Sequence, residues 1–592
     1  MNEELKSQVK IALNQVEQKI LSLRNEKGYW DGHLSSSALA VAVAVFGLWK
    51  YDPASNKELI NRGLHWLKDN INLDGGYGDT IKSKSNLSTS LLCWSALSIV
   101  KDEESFMPAL NLLEHWLRQK VGELNPEKIS TAILNHYADD KTFSVPILAM
   151  CALSGRLGKN GWVHVPQLPF QLAALPDRFF KWFNLSVVSY AIPALISMGL
   201  VKQKMDPPKN PLILLINKWI TPKVLKVLSE KQPKNGGFLE AIPLTGFVLM
   251  TMVGADFKQH TVCSNAEKFL QNSIRNDGSW PIDTSLATWV TTLAVNAFSN
   301  ETFSNLDTKQ LVNGLYTQQH KNVHPFTKTH PGGWAWIHLE GGVPDGDDTS
   351  GALLALQRLA GVTEESISSA TMGIQWLLGI QNNDGGFPTF CKGWGKLPFD
   401  ASCPDITAHV IRAFLCWTDE VDKNMVHKID KSIKKAVSFL QRTQNNDGSW
   451  FPLWFGNEHD KQHQNPVYGT SQVLLGLCEL REKDITNADK MIEQGADFLL
   501  SVQNENGGWG GSKDTPVSIE ETSLTIRALI LCGKLDETTE GINFLIQKIS
   551  NNDLEASPIG LYFASLWYYE EMYPLVYACA ALKEFSGELS IN

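Results

Sequence analysis

Phe439 to Trp450 reads FLQRTQNNDGSW, and the phrase recurs along the chain. WLKDNINLDGGY ends at Tyr77, FLQNSIRNDGSW at Trp280, WLLGIQNNDGGF at Phe387 and FLLSVQNENGGW at Trp509; a looser LRNEKGYW ends at Trp30. Each full copy has an aromatic and a leucine, a polar Gln or Asn, an Asp/Asn-Gly step and a closing aromatic. Such self-similarity marks a repeat architecture. The Asn-Asp-Gly portion ends a helix and turns the chain, because Gly and Asn tolerate positive φ.

The segment after each turn recurs as well. DTSLATWVTTLAVNAF starts at Asp283, DDTSGALLALQRLAG at Asp347, PDITAHVIRAFLCW at Pro404, YGTSQVLLGLCEL at Tyr468 and EETSLTIRALILCG at Glu520. Each carries a Thr or Ser suited to an N-cap ahead of a stretch apolar on nearly all sides. A helix apolar all round is buried, whereas stretches such as KKAVSFLQRTQ are amphipathic and fit an outer layer. The unit is therefore an inner helix, a connection, an outer helix and a turn, and the last three closing aromatics lie 63 and 59 residues apart. Closing such pairs into rings gives an all-α protein of two α/α barrels; an open solenoid is the alternative. Residues 1–25 are read as a helix packing on the catalytic barrel, 26–305 as the first barrel and 306–592 as the second.

Composition narrows the function. The 592 residues are 43% hydrophobic and 20% charged, enough for a large core. With 63 acidic against 53 basic residues, a net charge of −10 and no basic block, no nucleic-acid footprint is expected. Nine cysteines without a C-x-x-C pair point to a reducing compartment rather than a disulfide scaffold or zinc module. The N-terminus reads as a charged amphipathic helix, not a signal peptide. The longest apolar run, Ala38 to Trp49, has 12 residues, short of the roughly 20 that span a bilayer. A soluble or surface-bound intracellular protein is expected.

The candidate chemistry lies between Gly332 and Leu356, GGWAWIHLEGGVPDGDDTSGALLAL. Asp345, Asp347 and Asp348 gather at the start of an inner helix. A bare D-x-D-D is a weak motif, and an acidic N-cap explains it equally well. Two features add weight. PDITAHV repeats the phrase one unit later, so Asp405 and His409 should share a barrel end with the three aspartates. Aromatics surround the cluster in sequence: Trp334, Trp336, Trp394, Trp454, Phe455 and Tyr468. Crowded, buried carboxylates keep a proton on at least one member. A Brønsted acid above π-faces suits an apolar alkene that is protonated to a carbocation, which ring quadrupoles stabilise by about 2 kcal/mol or more when desolvated.

The D-x-D-D, the DITAH at Asp405 to His409 and the Q-x-x-D-G-x-W phrases together resemble squalene-hopene cyclases, within the class II terpene cyclase and oxidosqualene cyclase superfamily. The resemblance covers nearly the whole chain and is strongest from Pro331 to Trp509. It implies two α-barrels attached monotopically to a membrane, on its cytoplasmic face, and a hydrophobic polyprenoid substrate. It implies Asp347 as the proton donor, Asp345 and Asp348 as flanking carboxylates, and Asp405 with His409 as the supporting pair. It also implies cavity roles for Trp454, for Tyr468, and for Tyr562 and Tyr569 of the C-terminal LYFASLWYYEEMYP. NPLILLINKWITPKVLKVL, Asn210 to Leu228, is read either as a membrane-facing helix or as an ordinary packed one. The chain departs from the family at Trp336, usually phenylalanine, at Leu566, and in the polar insertion FGNEHDKQHQNPV with His459 and His463.

The leading expectation is cyclisation of squalene or a similar linear triterpene to a polycyclic product of hopene type, without metal or redox cofactor. A homodimer is left open. The alternative is a class II cyclase of a prenyl diphosphate, which would need magnesium or cations such as Lys392, Lys396 and Lys461. A remote alternative is protein prenyltransferase chemistry on zinc held by Cys403, Asp405 and His409, whose spacing does not match that family.

Overall fold

The recurring phrase folds into one hydrogen-bonded device. Trp450 is fully buried; its indole Nε1 donates to the Leu440 carbonyl at 2.8 Å, and its backbone N–H donates to Thr470 Oγ1 at 3.0 Å. The first bond gives a second donor to a carbonyl in the last turn of the outer helix Lys423–Thr443, which also accepts the Gln444 N–H, and the second ties the turn to the inner helix Pro466–Glu482. Trp509 repeats the pair with Leu499 and Thr522, and Trp30 with Ile20 and Thr291. Gln444 Nε2 donates to the carbonyls of Gly448 and Met491, linking the turn to the next outer helix. Gly448 has φ +92°, and a Cβ there would lie 2.2 Å from the Gln494 carbonyl oxygen, so glycine is required.

This corrects one expectation. The recurring Thr is not the N-cap but lies inside the first helical turn, where Thr349, Thr407, Thr470 and Thr522 accept the backbone N–H of Trp334, Phe387, Trp450 and Trp509. The capping side chains sit just outside the helices, at Asp345, Asn465 and Ser518.

The computed structural model describes residues 3–137, 141–176, 188–483, 488–562 and 566–591. In the C-terminal half, the inner helices Ala287–Ala297, Gly346–Ala360, Pro404–Trp417, Pro466–Glu482, Ile519–Leu531 and Tyr573–Ile591 pack each on the next, and the last on the first. Their outer partners include Lys309–Gln318, Glu364–Ile380, Lys423–Thr443, Asp489–Ser501 and Thr539–Ser550. The first barrel closes in the same way through Ala38–Tyr51, Leu87–Ala96, Lys141–Leu153, Val188–Met205 and Ile242–Gly254. Closed rings leave no end helix with a bare apolar face, which the open solenoid would have.

The barrels have separate cores. One gathers residues between Leu34 and Ile282, together with Leu566; the other takes the N-terminal helix Glu3–Ser22, Trp30, Leu239 and residues from Trp289 onward. The N-terminal helix packs on the second barrel, against Tyr573–Ile591. The boundary expected at residue 305 moves to residues 283–286. The helix Ala287–Ala297 packs between Gly346–Ala360 and Tyr573–Ile591 and so belongs to the second ring. Among the described residues no helix is long and apolar enough to cross a membrane.

Neither Trp450 nor Trp509 lines a cavity near the acid cluster. Replacing either with alanine is expected to cost about 3–5 kcal/mol and lower the thermal midpoint without altering the product pattern. An unchanged midpoint with altered products would contradict the structural role.

Candidate active site

The inner helix Gly346–Ala360 starts where it does because Asp345 caps it. Asp345 has extended backbone, and its Oδ1 accepts from the N–H groups of Asp347 at 2.9 Å and Asp348 at 2.8 Å. The next inner helix, Pro404–Trp417, begins with a proline in its first turn and carries Asp405. Both helices bring their positive ends to the same level, a setting that favours anions.

Burial works against that field. Asp345 is pushed up to about 7, first by burial and then by the charge of Asp347. Asp348 is raised further, by burial and by Asp345, and its Oδ1 has no partner. The proton of this pair therefore belongs on Asp348, since Asp345 has two backbone N–H groups to hold its anion. Asp405 also rises to about 7, from burial and from Asp347. His409 Nδ1 lies 2.6 Å from Asp347 Oδ1, joining the sister helices at the centre of the cluster. Trp289 meets the imidazole edge-on, with ring centroids 6.3 Å apart.

Asp347 stands between two cavities. On one side is an apolar cavity of about 120 Å³ walled by Trp289, Trp336, Phe390, Trp454, Phe455, Tyr568 and Tyr573. On the other is a polar chamber of about 690 Å³ inside the second barrel, lined by Asp405, His409, Tyr468, Arg412, Arg527 and Lys583 among others. Asp347 and Trp289 line both. A carboxyl held on an imidazole, with aromatic faces before it and a polar chamber behind, can deliver a proton to an apolar group and be recharged from solvent.

The sequence-derived candidates divide. Asp345, Asp347, Asp348, Trp336, Trp454 and Phe455 line the apolar cavity, with Trp336 edge-on to Phe390 and Trp454 Nε1 donating to Thr389 Oγ1. Tyr468 stacks on Phe455 at 4.2 Å but faces the polar chamber. Trp334 is not a wall residue: its indole donates to the Leu315 carbonyl at 2.8 Å, where it closes a turn. Tyr569 is also corrected. Its backbone pairs with Ser35, and Lys82 Nζ lies 4.8 Å from its ring centroid, while the adjacent Tyr568 reaches the cavity. The side chain of Tyr562 lies outside the described residues. Trp394 is exposed, and Leu566 is in the first barrel's core.

Sequence reasoning missed Trp289, Phe390, Tyr568, Tyr573 and Asp283, all lining the apolar cavity. The repeat phrase carries a signal for Asp283, which falls opposite Asp348 when DTSLATW is set against DDTSGAL, but none for Trp289, which falls opposite Leu354. Cys403 enters the sequence reading only as a zinc ligand. Its Sγ donates to Asp405 Oδ1 at 2.5 Å, and His409 is engaged with Asp347, so the trio does not converge. Among the described residues no three His, Cys, Asp or Glu side chains are arranged to hold a metal. Lys392, Lys396 and Lys461 are exposed and line neither cavity. The polar insertion ties the barrels together instead: Glu458 Oε2 accepts from the Lys84 N–H at 3.1 Å, and His463 packs edge-on to Trp567.

Residues 287–554 match the squalene-hopene cyclase C-terminal domain, and residues 6–160 and 183–390 match the prenyltransferase alpha-alpha toroid domain. The chain belongs to the prenyltransferase alpha-alpha toroid family, and its C-terminal half carries the squalene-hopene cyclase match. It is 30% identical over 244 residues to a squalene–hopene cyclase of Bradyrhizobium diazoefficiens, an alignment covering 36% of this chain and 34% of that one. It is 23% identical over 538 residues to the squalene–hopene cyclase of Alicyclobacillus acidocaldarius, covering 78% of each. The alignments to the rhizobial cyclases span about a third of those relatives' length. An ent-copalyl diphosphate synthase from Streptomyces platensis shares the fold, with a TM-score of 0.56 at 16% identity over 99% of this chain and 100% of that one.

The raised Asp405 carboxyl makes stability depend on pH with a definite sign. Its proton is bound more tightly in the folded than in the unfolded protein, so its contribution falls as pH rises from 3.8 to about 7. Relative to the native protein, Asp405→Asn is expected to gain thermal midpoint across that range and to hold the gain above it. A midpoint difference independent of pH would show that the carboxyl is not raised.

Proposed function

We propose that this protein is a class II, protonation-initiated cyclase converting squalene or a similar linear polyprene to a polycyclic product of hopene type. The observation that carries the reading is the position of Asp347, paired with His409 and lining an aromatic-walled cavity beside three other buried carboxyls. Asp347 would protonate a terminal alkene, and His409 would stabilise the carboxylate left behind. Trp289, Trp336, Phe390 and Trp454 would face the migrating cation without a lone pair to trap it. The polar chamber would return the proton to Asp347. Proton gain at the start and proton loss or water capture at the end balance, so the reaction needs neither a metal nor a redox cofactor.

At about 120 Å³ the apolar cavity is smaller than the roughly 300 Å³ of ordinary small-molecule sites, so a polyprene must part its walls. Binding energy spent there would also align the double bonds for ring closure. A prenyl diphosphate is the less supported substrate: among the described residues no Lys or Arg lines this cavity.

We also propose that the protein docks on a lipid surface through the first barrel's helix Pro211–Lys231. Leu212, Leu215, Ile216 and Trp219 are exposed there, Trp219 by 82%, while Lys209, Lys218 and Lys223 flank them. An apolar face rimmed by cations suits an anionic membrane and the insoluble substrate it stores. On this reading the protein is peripheral or monotopic on the cytoplasmic face.

Two measurements test these readings. Gas chromatography–mass spectrometry of detergent-solubilised protein is expected to show a chelator-insensitive cyclic triterpene from squalene, lost in Asp347→Asn at unchanged fold. Turnover retained in that variant would move the acid elsewhere, and product only from farnesyl or geranylgeranyl diphosphate with magnesium would favour the alternative. Trp219→Asp is expected to weaken co-sedimentation with anionic vesicles several-fold; unchanged binding would remove this helix from the membrane contact.

A further inference from the structure

Cys478 and Cys532 meet thiol to thiol, their Sγ atoms 3.6 Å apart. Cys478 lies near the C-terminal end of the inner helix Pro466–Glu482, and Cys532 caps the C-terminal end of the next one, Ile519–Leu531. The two helices pack on one another. The repeat sets a leucine-cysteine step near the same level of three successive inner helices, in FLCW at Cys416, GLCE at Cys478 and ILCG at Cys532. Cys416 is engaged with Gln357, its Sγ 2.9 Å from Oε1. Cys93, Cys151, Cys263, Cys403 and Cys579 likewise have an oxygen as the partner of their sulfur. At Cys478 and Cys532 the partner is a second thiol.

The two sulfurs differ in access and in surroundings. Cys478 is buried, and Cys532 is half-buried. Arg481 reaches from the first helix to the second, its Nη2 donating to the Leu531 carbonyl at 2.8 Å. Its charge therefore acts on both thiols, and Lys534 adds to it at Cys532. Cys532 is held below the ordinary thiol range, by the hydrogen bond from Cys478 first and, against burial, by Arg481 and Lys534. Cys478 is raised, as the donor of that bond and by burial. A reachable sulfur of thiolate character with a second thiol in contact is the arrangement of an attacking and a resolving cysteine.

We propose that Cys478 and Cys532 form a redox-active dithiol, a modification site whose reaction partner is a small-molecule disulfide of the glutathione class. The Cys532 thiolate attacks one sulfur of that disulfide, forming a mixed disulfide and releasing one thiolate. The Cys478 sulfur, giving up its proton, then attacks the Cys532 sulfur and releases the second. Two cysteine thiols lose two electrons, one small disulfide gains them, and the two cysteine protons end on the two thiols released. The sulfurs close from 3.6 Å to a bond of about 2.05 Å. The bond staples two inner helices that line the polar chamber through Tyr468 and Gln472 on one and Leu524 and Arg527 on the other. It involves neither the acid cluster nor the aromatic wall, so the inference stands apart from the cyclase reading. In a reducing compartment the pair rests as two thiols and closes as disulfide accumulates.

The test incubates the full chain with oxidised and reduced glutathione at set ratios, quenches in acid, unfolds, alkylates and digests without reductant. Mass spectrometry is expected to find the Cys478 and Cys532 peptides joined and two hydrogens lighter, with the other cysteines alkylated. The cross-link closes a span of 54 residues and is expected to raise the thermal midpoint by several degrees. Dithiothreitol should reverse that gain, and Cys478→Ser and Cys532→Ser should lack it. Cys478→Ser should trap glutathione on Cys532, whereas Cys532→Ser should trap about tenfold less on the buried Cys478. Both cysteines recovered alkylated at the highest oxidant ratio, or oxidation spread evenly over all the cysteines, would overturn the inference. Glutathione trapped equally in the two serine variants would overturn the assignment of Cys532 as the attacking thiol.

Discussion

Each barrel depends on one recurring bond pair, an aromatic side chain on the carbonyl of the outer helix it follows and its backbone N–H on a hydroxyl of the next inner helix. The pair does more than close a turn. Where it occurs it sets the height of an inner helix against the turn before it, because the accepting hydroxyl lies near the helix start, at Thr349, Thr407, Thr470 and Thr522. Trp334 makes both bonds, to Leu315 and Thr349, while Phe387, whose ring has no donor, keeps the backbone bond to Thr407 on the neighbouring helix. They bring Asp347 and His409 to the same level, 62 residues apart in sequence and 2.6 Å apart in space. A shift of one helical residue, about 1.5 Å along the axis, would break that contact.

The acid cluster is a place where opposing effects meet. Helix N-termini favour negative charge, while burial and mutual repulsion disfavour it. Repulsion and burial prevail at Asp345, Asp348 and Asp405, which all rise. Those raised carboxyls are a standing cost to stability, offset by the apolar cores of two closed rings. Concentrating strained or desolvated groups at one site is the usual form of the conflict between stability and activity. Cys403 moderates it, since its thiol donates to Asp405 and eases the burden of the anion.

The two cavities meeting at Asp347 divide the work by polarity. The aromatic side is walled largely by rings, and the chamber side holds charged groups such as Arg412, Arg527 and Lys583. Asp283 joins Asp345, Asp347 and Asp348 in breaking the apolar rule, and burial, with the charge of Glu240, holds its carboxyl well above the ordinary carboxylate range. A neutral carboxyl is the one acidic group that such a wall tolerates at modest cost.

The helices, their inner and outer sorting, the closed repeat and the meeting of Asp345, Asp347, Asp348, Asp405 and His409 are all legible in the residues alone. Those features are local, or repeat with a local period, so periodicity and turn chemistry reveal them. Which aromatics form the wall was settled by packing between distant parts of the chain. Tyr568 and Tyr569 are neighbours on one extended segment, and alternation sends them to opposite sides; the helix Ala287–Ala297 joined the second ring through partners far along the chain. Trp334 looked like Trp336, yet its ring was already committed to the Leu315 carbonyl. Wall membership depends on long-range register and on what each side chain meets first, and residue spacing encodes neither.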